Sequence, residues 1–163
     1  MLVYNSVLGE LRINCCGIRE QREFREAFGV HLMGDDTIFS GDAKYTLAPI
    51  VLDGENCLAC GDIPGFKSVT LKEVEFLFRG KPSQRITRKS EDIFALVKAG
   101  YFKWPEPETL TRAVFEVAFA ESKKTRRVTI AGANRAMYGR DDDSVIVEQW
   151  LKARGFVGDE SQG

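Results

Sequence analysis

Val69-Thr70-Leu71-Lys72-Glu73-Val74-Glu75-Phe76-Leu77-Phe78 is the stretch on which the reading of the fold turns. Val69 and Leu71 alternate with polar neighbours in one phase, and Val74, Phe76 and Phe78 alternate in the other. Period-2 alternation marks a half-buried strand. The change of phase at Lys72-Glu73 marks one extra residue, a β-bulge, that returns the apolar set to the same face. Arg79-Gly80-Lys81-Pro82-Ser83 then turns the chain, and Gln84–Thr87 returns as a partner strand. Ser90 is placed as an N-cap for a helix over Glu91–Ala99 that stops near Gly100, with Glu91 and Asp92 complementing its dipole.

The same order recurs downstream. Phe115, Val117 and Phe119 alternate with Glu116, Ala118 and Ala120, and Arg127-Val128-Thr129 answers Arg85-Ile86-Thr87. Asp141-Asp142-Asp143 offers caps to a helix from Ser144 to Arg154. Leu96-Val97-Lys98-Ala99-Gly100-Tyr101-Phe102 corresponds to Trp150-Leu151-Lys152-Ala153-Arg154-Gly155-Phe156. The pattern is a tandem ββα repeat over about 69–102 and 110–156, with an insertion around 131–139 in the second unit. A linker with two prolines lies at 103–109. The expected fold class is α+β: a mainly antiparallel sheet with helices on one face.

Residues 1–66 form an acidic αβ segment expected to pack on the duplicated unit at 67–163. Gly9–Cys15 alternates as a strand, and Ile18–Phe28 spaces Phe24 and Phe28 on one helix face. Arg19–Glu23 and Arg22–Glu26 are set to pair on another. Gly29 is placed to end that helix, which puts His31 in the following loop. Thr37–Ser40, Tyr45–Leu52 and Cys57–Cys60 read as short strands.

The 163 residues suit one ordinary domain with a core, and 44% hydrophobic with 29% charged residues is a globular composition. No apolar run reaches the roughly 18 residues of a membrane span. Met1–Ser6 has neither the basic region nor the long apolar region of a secretory signal. Four cysteines are too few for a disulfide scaffold, so reduced thiols and a cytoplasmic location are expected.

Cys57-Leu58-Ala59-Cys60-Gly61 has the spacing of half a zinc ribbon. The other half is missing: the remaining sulfurs, Cys15 and Cys16, are adjacent and point apart on a strand. A redox Cys-x-x-Cys opens a helix whose N-terminus acidifies the thiol; here Gly61, Pro64 and Gly65 come next instead. The pair therefore reads as buried or half-buried structural cysteines, with no metal and no cofactor. The sequence carries no phosphate-binding G-x-x-x-x-G-K-[ST], no G-x-G-x-x-G and no G-x-S-x-G. Asp35-Asp36 with Asp141–Asp143 could hold Mg²⁺ in a small hydrolase or nuclease. Glu75 and Glu116, at equivalent strand positions, could do acid–base work. Both sets also suit solvated caps and cross-strand pairs, and no catalytic residue is assigned.

Charge is the better guide. Residues 1–66 carry 5 Lys and Arg against 10 Asp and Glu, 67–140 carry 16 against 8, and 141–163 carry 2 against 6. The basic middle concentrates on two hairpins: Arg79, Lys81, Arg85, Arg88 and Lys89 on the first, and Lys123, Lys124, Arg126, Arg127, Arg135 and Arg140 on the second. The reading is a non-enzymatic binding or regulatory module that meets a protein partner or a second copy of itself and no membrane. Trp104 and Trp150 are candidate anchors, although Trp150 also falls on a core-facing helix stripe. The alternative is a nucleic-acid-binding protein whose hairpins, 79–89 and 123–140, straddle phosphates. Tyr101, Trp104 and Tyr138 would then stack on bases.

Overall fold

The computed structural model describes residues 1–6, 10–13, 17–36, 44–106, 109–133, 135–139 and 143–158. The chain divides into two compact units, Met1–Asp42 and Ala43–Gly163. The division does not fall at 66. Residues 44–66 belong to the larger unit and supply Leu47, Ile50 and Cys57 to its core.

In the smaller unit, strands β1 (Leu2–Asn5) and β2 (Glu10–Ile13) pair antiparallel with Leu2 opposite Ile13. Helix α1 runs over Ile18–Met33, a full turn longer than expected. Gly29 does not end it. A single interior glycine costs about 1 kcal/mol, and Val30-His31-Leu32-Met33 continue the turn beyond it. The stop is Gly34 at φ 73°, whose N–H reaches the carbonyl of Val30 at 3.1 Å. His31 is consequently an exposed residue of the last helical turn, not of a loop. Arg19 pairs with Glu23 at 2.9 Å and Arg22 with Glu26 at 3.7 Å. The expected strand at Thr37–Ser40 lies outside the described residues.

The larger unit opens with helix α2 (Ala48–Leu52) and a 3-10 turn (Gly54–Leu58). Both replace strands expected at Tyr45–Leu52 and Cys57–Cys60. Pro49 in the first helical turn fits α2 because its missing N–H has no partner to lose there. A short apolar run without periodicity does not distinguish a buried helix from a strand.

Five strands then form one antiparallel sheet in the order β4-β3-β5-β6-β7. They are β3 (Phe66–Phe78), β4 (Gln84–Lys89), β5 (Leu110–Phe119), β6 (Thr125–Ala131) and β7 (Arg135–Met137). The bulge lies where the phase changes: Leu71 opposes Phe115, and Glu73 opposes the next residue, Val114. Val69, Leu71, Val74 and Phe76 thus share one face with Ala113, Phe115, Val117, Val128 and Ile130, all buried.

Helices α3 (Ile93–Lys98) and α4 (Ser144–Ala153) cover that face. Trp150 of α4 lies edge-on to Phe115 with ring centres 5.3 Å apart. Phe94 of α3 meets Trp104, which packs on Phe76. Asp92 rather than Ser90 is the N-cap of α3, its carboxylate accepting the Ala95 N–H at 3.1 Å. The Ser90 hydroxyl instead accepts the Asp92 N–H. Gly155 at φ 73° follows α4, and Phe156 returns its N–H to Leu151 at 2.9 Å.

The architecture is α+β. Two strands precede α3 and three precede α4, and α3 has 6 residues against 10 in α4, so the two halves do not match element for element. Among the described residues no helix is long and apolar enough to cross a membrane.

Candidate functional site

The sheet face opposite the core is the candidate site. Residues directly paired across strands share a face. The register therefore places Arg85, Thr87 and Lys89 of β4 beside Glu73 and Glu75 of β3. Next to these come Arg112, Val114 and Glu116 of β5, then Arg127 and Thr129 of β6 and Arg135 of β7. Lys72, the bulge residue, reaches the same face and pairs with Glu116 at 3.2 Å.

Glu73 is the centre of the arrangement. It is 4% exposed, and three cations share its carboxylate. Arg112 donates to Oε1, while Arg127 and Lys89 each approach Oε2 at 3.3 Å. Glu75 takes Arg85 at 3.4 Å, and the Thr111 hydroxyl donates to its backbone carbonyl. Glu116 accepts from the Thr125 hydroxyl at 3.4 Å. Val114 and Thr129, buried in the row beyond Glu73, are flanked by the stems of Arg112 and Arg127. A shallow groove of about 350 Å³ runs along Lys72, Glu73, Lys89, Val114, Glu116 and Arg127.

Six cations against three carboxylates leave this face with a surplus of positive charge. The side chains of Arg85, Lys89 and Arg127 are 64%, 71% and 63% exposed. An ion pair that exposed contributes about 1 kcal/mol or less, so an incoming anion competes for these groups at little cost.

The basic residues singled out from the sequence do not act as one set. Arg85, Lys89, Arg127 and Arg135 share the open face. Arg88 lies on the other side of β4, its guanidinium 4.9 Å from the centre of the Phe102 ring. Arg126 also points away from the open face and lies 3.8 Å from Asp143, ahead of α4. Arg79 and Lys81 occupy the β3–β4 tip, and Lys123 and Lys124 the β5–β6 tip. These tips sit at opposite ends of the sheet, because Phe76 pairs with Leu110 at one end and Phe66 with Phe119 at the other. Arg140, Asp141 and Asp142 lie outside the described residues.

Lys72 and Arg112 are members of the site that sequence reasoning passed over. Arg112 carried a signal, since it keeps the period-2 phase of Glu116, whereas Lys72 is the bulge itself and has no phase. Of the aromatic candidates, Tyr101 is exposed, Trp104 packs on Phe94 and Phe102, and Trp150 is buried with its indole N–H on the Ala59 carbonyl. The Tyr138 hydroxyl donates to Glu148 at 2.8 Å.

Glu75 and Glu116 are engaged by Arg85 and Lys72, respectively. Cys57 lies in the core, where burial first, and the Asp53 carboxylate second, push its thiol up to about 12. Cys60 is half-buried, and burial raises it too. Among the described residues no three His, Cys, Asp or Glu side chains gather in a group that could hold a metal ion.

No protein-family model matches the chain, and neither a curated protein nor a solved structure matches it.

Proposed function

We propose that this protein is a non-enzymatic binding module whose open sheet face receives an acidic segment of a protein partner. The observation that carries the reading is the shared carboxylate of Glu73. Three cations converge on one acid, so Lys89 and Arg127 can each turn to an external carboxylate while Arg112 keeps Glu73 neutralised. Charge complementarity of this kind steers encounter and sets partner choice.

A protein partner suits the face better than nucleic acid. Among the described strand residues of that face there is no aromatic side chain on which a base would stack. The basic hairpin tips are separated by the length of β3, so they do not close on one phosphate group.

The test is fluorescence anisotropy at about 50 mM salt, where electrostatic binding is strongest. A labelled acidic peptide is compared with labelled duplex DNA and single-stranded RNA. The peptide is expected to bind, to weaken as salt rises, and to lose about tenfold in affinity in Lys89→Gln/Arg127→Gln. Absence of peptide binding, or tighter binding of either nucleic acid, would sink the reading.

A further inference from the structure

We infer that the acidic partner binds as an added antiparallel strand along β4, which rests on the open-face reading above. β4 is the sheet's six-residue edge, and every one of its residues is exposed. The opposite edge, β7, offers only three residues.

The hydrogen-bonding phase of β4 is set by one contact. The Ser90 N–H donates to the Lys72 carbonyl at 2.9 Å, and the register continues without a slip from Glu73 opposite Lys89 to Phe78 opposite Gln84. Hydrogen-bonded and non-hydrogen-bonded pairs alternate along an antiparallel ladder. Residues 88, 86 and 84 therefore bond inward to β3. The backbone N–H and C=O of Arg85, Thr87 and Lys89 point outward, to the edge that no other strand among the described residues pairs with.

This phase couples the backbone to the charge. Arg85, Thr87 and Lys89 are also the β4 residues whose side chains stand on the open face. A partner residue that exchanges both hydrogen bonds with one of them sits directly opposite, and its side chain lies on that same face. Carboxylates at alternate positions of the partner would then meet Lys89 and Arg85. The intervening positions would lie beside Ile86, an exposed aliphatic side chain, and Arg88. The partner is thus an extended segment alternating acidic with β-branched residues, a form of strand addition in which main-chain bonds supply affinity and alternate side chains supply specificity. A second copy of β4 does not fit, because in this phase Arg85 of one copy would stand opposite Lys89 of the other.

The experiment uses the full chain and a short fluorescein-labelled peptide of alternating Glu and Val, with two backbone-methylated versions. N-methylation at the Glu residues removes the N–H groups that would face β4, whereas N-methylation at the Val residues removes those that face away. Strand addition predicts about tenfold weaker binding for the first and less than about threefold for the second. Thr87→Pro is expected to weaken the unmodified peptide about tenfold as well, since it deletes an outward N–H and leaves the ladder to β3 intact. Equal behaviour of the two methylated peptides, or unchanged binding by Thr87→Pro, overturns the inference. If binding then still falls in Lys89→Gln/Arg127→Gln, the open-face reading survives without strand addition. If no acidic peptide binds at all, both fail.

Discussion

Cys57 gives the core a chemical signature at the scale of a single residue. Its thiol ionises near 9.0 in an open chain and is pushed up to about 12 in the fold, by burial and then by Asp53. Between these values the native thiol keeps its proton and the unfolded thiol loses it. The unfolded state then binds fewer protons, so this contribution is intact below pH 9 and declines as pH rises, by up to about 1.4 kcal/mol per pH unit. Urea unfolding at pH 8 and at about pH 10.5 should show a larger alkaline loss for the wild type than for Cys57→Ala, by about 2 kcal/mol. Equal losses would mean that the thiol is not held protonated by the core. The sequence around the Cys-x-x-Cys, with Gly61, Pro64 and Gly65 after it and no second pair to match it, did point to packing residues. It did not reveal the 3-10 turn that buries Cys57 and leaves Cys60 half-covered, because Asp53-Gly54-Glu55-Asn56 signals a turn without fixing the conformation of the residues after it.

At the scale of elements, the bulge in β3 holds the sheet's two faces apart. Lys72 is the one residue without an opposite number on β5 at the change of phase, and it allows Leu71 and Val74 to face the same core. Deleting Lys72 would leave Leu71, Glu73 and Val74 in plain alternation and pair them one to one with Phe115, Val114 and Ala113, so the apolar set keeps the core face and only the bulge's local bend is lost. The deletion is therefore expected to keep a cooperative thermal transition. Lys72→Ala, which removes only a partly exposed pair with Glu116, should cost about 1 kcal/mol or less. Loss of the transition in the deletion but not in Lys72→Ala would show that the fold needs the extra residue itself. The change of phase was legible because alternation is a strong signal. The other elements were less so: α2 has an apolar run without a period, β7 is three residues long, and α1 passes through a glycine that looked like its end. The open face was half legible. Period-2 phase assigns Glu73, Glu75 and Arg112 to it, but which cation meets which carboxylate depends on cross-strand register, which a sequence does not print.

At the scale of the whole molecule, the charge blocks proved easier to see than the units that carry them. The acidic stretch at 1–66 covers the whole of one unit and the start of the other. Among the described residues the hydrophobic core runs from Leu47 to Phe156 and draws every member from the larger unit. In Met1–Asp42 only Gly29 is buried among the described residues, and Phe24, Val30 and Leu32 are exposed. A fragment Ala43–Gly163 should therefore unfold in one cooperative transition. Its reporter is Trp150, packed among Phe66, Phe115 and Phe156, so tryptophan emission should shift to the red as the core opens. A fragment Met1–Asp42 should show no such transition by circular dichroism, since a lone hairpin and one helix with no buried side chain among the described residues are marginal in water. If the larger fragment melted without cooperativity, residues 1–42 would be part of its folding unit. If it melts cooperatively and still binds the acidic peptide, then both the stability and the binding face reside in the five-stranded sheet and the helices behind it.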